Sequence, residues 1–142
     1  MENILFTRQF HQAERAGDHY DYRLVSGGKA YSWATRKQMP EPGNSIILWE
    51  QPVHTAEYAL SKRLVIPKGQ YGAGITTLDI VKKAKVHPDS TKEKIKFTTA
   101  TGESFLLKKL PEKYGDKAWL FRCISAPSLE KKANKYLEII WK

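Results

Sequence analysis

Short segments in which apolar and polar residues alternate recur along this chain and are separated by turns rich in glycine and proline. Many short strands with frequent turns are typical of an antiparallel β-sandwich or β-barrel. Residues 26–28 and 100–102 have the composition of hairpin turns. The pattern therefore predicts an all-β fold with strands over residues 4–10, 19–25, 29–35, 45–50, 63–66, 75–81, 94–99, 103–108 and 117–124.

The C-terminal end has a different pattern and predicts one short helix over residues 128–138. Ser128 can serve as its N-cap, and Pro127 stands immediately before that cap. A chain of 142 residues is long enough for one domain with a proper core. We therefore expect a single domain, 1–142, with its core over residues 4–125.

The charge balance narrows the class of partner. The chain has 24 Lys and Arg against 15 Asp and Glu, a formal net charge of +9. This excess favours a polyanionic partner, with nucleic acid first, although an anionic membrane or simple solubility also fits it. Its single cysteine, Cys123, excludes an internal disulfide and is expected to be a buried structural thiol. Without a long apolar run or an apolar leader, a cytoplasmic protein with no membrane contact is expected.

Three chemically distinct side chains occupy alternate positions of the second predicted strand: His19, Asp21 and Arg23. In an extended strand they share one face, with neighbours roughly 6.6–7 Å apart. A nitrogen ligand, an oxygen ligand and a guanidinium on one face suit metal-assisted hydrolysis of a phosphate ester. A solvated or salt-bridged strand face would give the same alternation, so the pattern alone leaves both interpretations open.

A second segment, residues 66–74, contains three glycines and a proline. Such a composition indicates a tight irregular turn. Its backbone amides could cradle a phosphate, but its spacing matches neither a P-loop nor a dinucleotide-binding fingerprint. The spacing alone favours a purely structural turn over a phosphate-binding loop.

Taken together, several blocks resemble the 3′-phosphoesterase domain of bacterial repair ligases of the ligase-D type. They occur in the family's order and span residues 6–122. The blocks are Phe6-x-x-Gln9-x-His11, His19-Tyr20-Asp21-Tyr22-Arg23-Leu24, Ser32-Trp33-Ala34-x-x-Lys37, His54-x-x-Glu57-Tyr58, Ile66 through Gly74, and Trp119-Leu120-Phe121-Arg122.

This resemblance implies a compact antiparallel β-barrel enzyme that uses a divalent metal, manganese first, to trim 3′ ends of DNA in repair. The family removes a terminal ribonucleoside and then the 3′-phosphate, and its substrates imply DNA or DNA–RNA 3′ ends as partners, with a ligase or polymerase by analogy. Position by position, the implied metal ligands are His11, His19 and Asp21; the implied phosphate-holding residues are Arg23 and His54, with Lys37 and Tyr58 as further groups around the phosphate.

The chain also departs from the family. Seven residues separate His11 from His19, two more than usual, so the turn around residues 15–18 must absorb the extra pair. Only five residues precede Phe6, whereas family members often carry an N-terminal extension that assists ribonucleoside removal. These departures support an alternative, a nucleic-acid-end binding module of the same fold that has lost turnover. The remaining histidine, His87, is expected to be structural.

Overall fold

The fold is a single antiparallel β-sheet. The computed structural model describes residues 2–127. Within that range the sheet has nine strands, and every strand pair is antiparallel. The strands are β1 (Glu2–Ala13), β2 (Gly17–Ser26), β3 (Lys29–Thr35), β4 (Ser45–Thr55), β5 (Arg63–Ile66), β6 (Gly74–Val86), β7 (Lys94–Thr99), β8 (Ser104–Lys109) and β9 (Ala118–Ser125).

The strand order is β1-β2-β3-β4-β9-β8-β7-β6-β5, and β1 also pairs with β6. The first strand is therefore hydrogen-bonded along both edges, to β2 on one side and to β6 on the other. On its other edge β6 pairs first with β5 and then with β7. This double pairing places β1 and β2 side by side in the interior of the hydrogen-bonded network.

One face of β1 and β2 forms the main apolar core. Phe6 lies at its centre, with its ring centroid 5.1 Å from that of Phe97 and 5.5 Å from that of Phe105. Tyr22 and Leu24 of β2 join the same cluster, at 1% and 5% exposure. Because strand side chains alternate between faces, Thr7, Gln9, His11, Asp21 and Arg23 are directed to the opposite face.

The opposite face is covered in part by a short helix, α1 (Ala56–Leu60). Thr55 caps it by accepting a hydrogen bond from the Tyr58 backbone N–H at 3.1 Å. A helix of five residues does not persist alone in water, so tertiary contacts must hold it. Ala59 supplies them by packing with Val25 and Ala30 in a second apolar cluster.

The predicted strands agree with the structure, with the largest differences in length at β1, β4 and β6. The sequence pattern stops β4 at residue 50, but the strand continues to Thr55. Pro52 lies where the β3–β4 register shifts, and a bulge accommodates a proline that an unbroken ladder would exclude. Helix α1 was not predicted, and the 3-10 turn Glu112–Tyr114 falls in a predicted loop.

Two further expectations concern the ends and the thiol. Cys123 is 2% exposed, as predicted. The helix predicted over residues 128–138 lies outside the described residues. Across residues 2–127, no helix is both long enough and apolar enough to cross a membrane.

Gly74 is the first residue of β6 and lies where an added side chain would disturb the pairing of β6 with β1. Its φ of +142° is a conformation that side chains rarely adopt, and a Cβ there would overlap the carbonyl oxygen of Gln12. We predict that Gly74→Ala lowers the free energy of unfolding by about 1–3 kcal/mol more than Gly69→Ala. The control glycine also has a positive φ, but open space surrounds the position that an added methyl group would take. Urea unfolding measures both variants, and equal midpoints would contradict the prediction.

Candidate functional site

The first feature of the site is the register of β1 and β2, which sets His11 directly opposite His19. Their ring centroids are 4.7 Å apart. The hairpin ends its pairing at Ala13 and Gly17, so residues 14–16 form the turn and absorb the longer spacing. Gly17, with φ of +77°, provides the left-handed conformation at the start of β2.

Asp21 lies between the two imidazoles. His11 Nδ1 is 3.3 Å from Asp21 Oδ2, and His19 Nε2 is 3.4 Å from Asp21 Oδ1. One ligand atom from each of the three residues falls within 4.8 Å of the others. Nitrogen and oxygen donors gathered at this separation could hold a divalent cation.

The outer ring nitrogens of the two histidines contact backbone carbonyl oxygens. His11 Nε2 is 2.8 Å from Gly72 O, and His19 Nδ1 is 3.0 Å from Gly17 O. A nitrogen beside a carbonyl must carry the proton, so in the neutral rings a lone pair is left on each nitrogen that faces Asp21. Lone pairs directed at a carboxylate are unfavourable unless a proton or a cation lies between them. This arrangement therefore fits a cation, and such outer contacts orient metal-binding histidines.

The electrostatics of the cluster keep Asp21 ionised. Burial opposes its charge, but the contacts from His11 and His19 and the positive charge of Arg23 hold the pKa of Asp21 well below its ordinary value. In turn, hydrogen bonding to Asp21 raises the pKa of His19 despite partial burial. The contact between His19 and Asp21 therefore favours the protonated imidazole and the ionised carboxylate together.

Arg23 extends the cluster toward α1. The side chain is 2% exposed, its Nε donates to Ser32 Oγ at 2.9 Å, and its NH2 lies 3.8 Å from Asp21 Oδ2. Its NH1 donates to Gln9 Oε1. The Gln9 amide in turn donates to the backbone oxygen of Tyr58 at 3.0 Å. A buried guanidinium thus links the β2 carboxylate to the short helix.

His54 and Tyr58 form the half-buried outer edge of the site. Their rings stack with centroids 4.4 Å apart and an interplanar angle of 12°. The Arg23 guanidinium lies 5.2 Å from the centre of the Tyr58 ring. Burial and the nearby charge of Arg23 lower the pKa of His54, while burial raises the pKa of Tyr58. Both side chains are therefore uncharged at neutral pH.

The structure brings six of the seven predicted residues into one connected set of contacts: His11, His19, Asp21, Arg23, Tyr58 and His54. Lys37 is exposed two residues beyond β3, and its backbone N–H donates a hydrogen bond to Thr35 Oγ1. Within residues 2–127, the Lys37 side chain forms no hydrogen bond or ion pair with the other six. His87, expected to be structural, has its Nε2 3.1 Å from Thr98 Oγ1.

Sequence reasoning missed three residues that position this set. Gln9 and Ser32 bind Arg23, and the Gly72 carbonyl binds His11. The glycine-rich segment, for which the spacing favoured a structural turn over phosphate-cradling amides, therefore meets the site through a carbonyl acceptor. A signal for Gln9 was present, since it lies two residues before His11 and so shares its strand face, whereas its pairing with Asp21 is seen only in the structure.

Fold and site together define an all-β domain with a candidate cation centre next to a buried arginine. The chain belongs to the DNA Ligase D 3′-phosphoesterase domain family, whose profile matches residues 9–114.

Two mycobacterial proteins share part of this region. A stretch of 71 residues is 39% identical to the "Multifunctional non-homologous end joining protein LigD" of Mycobacterium bovis. The same figures hold for the "Multifunctional non-homologous end joining DNA repair protein LigD" of Mycobacterium tuberculosis. The match covers 49% of this chain and 9% of each relative, so the chain spans a small fraction of those longer proteins.

The link between Asp21 and His19 can be tested by removing the charge alone. Because hydrogen bonding to Asp21 is the largest cause of the raised pKa of His19, Asp21→Asn should move the His19 titration to lower pH. Measurement is by NMR titration of the metal-free protein. Asp18→Asn, which removes an exposed carboxylate one residue from His19, serves as the control. An unchanged His19 midpoint in Asp21→Asn would contradict the assignment.

Proposed function

We propose that this protein is a divalent-metal-dependent 3′-phosphoesterase that removes 3′-phosphates, and 3′-ribonucleosides, from nucleic-acid ends during DNA repair. The observation that carries the proposal is the convergence of His11, His19 and Asp21 within 4.8 Å, beside Arg23. Family membership supports the reaction class, and the relatives' names support a role in non-homologous end joining.

His11, His19 and Asp21 are the residues that would hold the metal. Two imidazoles and one carboxylate are a mixed donor set that suits manganese, and also zinc or iron. A bound divalent ion would supply charge neutralisation at a phosphoryl oxygen and an acidified water. Asp21 contributes the negative charge that favours a cation here, because its pKa lies far below neutrality.

The other residues act on the phosphate. Arg23 contributes a fixed positive charge next to Asp21, with Nε and NH1 occupied by hydrogen bonds and NH2 directed toward the carboxylate. His54 is neutral at pH 7 and could protonate the leaving oxygen once a phosphate dianion raises its pKa. Tyr58 orients His54 by stacking, and Lys37 would add a mobile charge after substrate binds.

Membership in this family also suggests that the nine-stranded sheet of this protein closes into a barrel. The pairing of β1 with both β2 and β6 supports this inference, since it connects the two halves of the strand order. We further propose that residues 1–142 act as one domain, and that a DNA ligase or polymerase supplies or receives the trimmed ends.

One observation favours a second candidate function, an end-binding module without turnover. Arg23 is 2% exposed, so its guanidinium reaches a phosphate only through a narrow part of its surface. A site that held ends without hydrolysing them would tolerate this burial.

Release of inorganic phosphate from a 3′-phosphorylated oligonucleotide tests the main proposal. We expect release with Mn²⁺ and none with a chelator. Since loss of outer contacts to metal ligands already costs roughly 10–100-fold, His19→Ala and Asp21→Asn should reduce the rate by at least about 100-fold. Asp18→Asn should retain the wild-type rate.

The same samples distinguish the two candidate functions. His19→Ala and Asp21→Asn should still bind the oligonucleotide. A second substrate, which carries one 3′-ribonucleotide, reports the removal of the ribonucleoside. Tight binding by the wild type without phosphate release in any divalent metal would favour the binding module. Release that persists in Asp21→Asn would remove the metal assignment.

The excess of basic residues gives a separate prediction about binding. With a net charge of +9, affinity for the oligonucleotide should fall steeply between about 50 and 200 mM salt through counterion release, and linearly in a logarithmic plot. Fluorescence anisotropy at several salt concentrations measures the slope. Affinity that is flat with salt would contradict phosphate-backbone binding.

A further inference from the structure

Trp49 is exposed in a way that the two other tryptophans of residues 2–127 are not. Trp33 and Trp119 are 3% and 4% exposed and lie in the main core, whereas Trp49 is 46% exposed. Single exposed apolar side chains are common on protein surfaces, so exposure alone carries no function. The position of Trp49 relative to the site is the informative feature.

Trp49 lies on the same sheet face as the candidate cation centre. Asp21 pairs with Ala34 of β3, and Ala34 pairs with Trp49 of β4. Directly paired residues point to one face, so a continuous row runs from the carboxylate to the indole. Two strand spacings, roughly 10 Å, separate the backbone positions of Asp21 and Trp49. Ala34 between them is partly exposed and has only a methyl group, so no large side chain of this row separates Asp21 from Trp49.

The Trp49 side chain packs against the backbone near Gly115. A Cβ at Gly115 would come within 3.3 Å of Trp49 Cζ3, so the ring rests against the Gly115 backbone. The Trp49 carbonyl accepts a hydrogen bond from Gln51 Nε2 at 3.2 Å. The indole thus packs against the protein with part of its surface, and Trp49 remains 46% exposed.

The neighbouring row is crossed by the glycine-rich segment. Arg23 pairs with Ser32, which pairs with Gln51, and Tyr71 donates its hydroxyl to Gln51 Oε1 at 3.2 Å. The adjacent Gly72 contacts His11 on β1. Residues 71 and 72 therefore reach from β1 to β4 across this row. The row through Ala34 has only a methyl group between Asp21 and Trp49.

We propose that Trp49 stacks on an unpaired nucleobase of a strand whose 3′ end occupies the centre. The inference rests on the proposed function, because that function places the terminal phosphate near Asp21 and Arg23. About 10 Å corresponds to roughly three base steps of about 3.4 Å, so the base lies one to three nucleotides from the end. Aromatic stacking accepts every base, which suits an enzyme that meets ends of any sequence.

The test is a binding cycle between the indole and the base, using 3′-phosphorylated single-stranded oligonucleotides. Trp49→Ala should weaken binding about 5- to 150-fold, and Trp49→Phe should restore part of the loss. An abasic nucleotide at the second or third position from the 3′ end should weaken wild-type binding by a similar factor. It should leave the affinity of Trp49→Ala unchanged.

The matched control is Tyr31→Ala. Tyr31 is 44% exposed and pairs with the core residue Leu24, so it belongs to the opposite face, and its removal should not change affinity.

Independent effects of Trp49→Ala and the abasic position, or an abasic position without effect on the wild type, would overturn the stacking proposal. Phosphate release is followed separately. A wild type that shows the coupling but releases no phosphate would overturn the proposed hydrolysis and leave the stacking in place.

Discussion

The register between β1 and β2 is the constraint on which the site depends. Pairing of His11 with His19 puts Asp21 beside both imidazoles, and a slip of one residue would turn each of these side chains to the opposite face. The apolar side of the same two strands prevents such a slip. Phe6, Tyr22 and Leu24 would leave the core together, and burying large side chains contributes about 1.5–3 kcal/mol each. The hydrophobic effect thus fixes the position of polar groups on the other face.

A second interaction couples this centre to the segment that covers it. Gln9 is fully buried and bonds both the Arg23 guanidinium and the Tyr58 carbonyl, so the orientation of the arginine and the placement of α1 are not independent. Burying a guanidinium is costly unless its donors are satisfied. Here Ser32 and Gln9 satisfy two of them and leave NH2 toward Asp21. The charge remains positioned next to the carboxylate instead of moving with solvent.

Much of the sheet and the β2 part of the cluster could be predicted because both follow local alternation, whereas His11, His54 and Tyr58 were implied by the family resemblance. His19, Asp21 and Arg23 share a face whenever the strand is extended, and no tertiary information is needed. The remaining features depend on contacts distant in sequence. Helix α1 has too few residues for a periodic signal, β4 passes Pro52 by means of a bulge, and the role of Gly72 depends on its backbone carbonyl. The position of Trp49 beside the site depends on a ladder that runs through β3.

The double pairing of β1 has a dynamic consequence. Local opening in proteins begins at edges and frayed ends, where fewer hydrogen bonds must break together. A strand held on both sides opens only with one of its neighbours, so the backbone that carries His11 belongs to a cooperative unit with β2 and β6. Such a scaffold would keep His11 in place before a cation bound to the candidate centre. Little ordering entropy would then oppose binding of the proposed cation, and the affinity would reflect the donor atoms themselves.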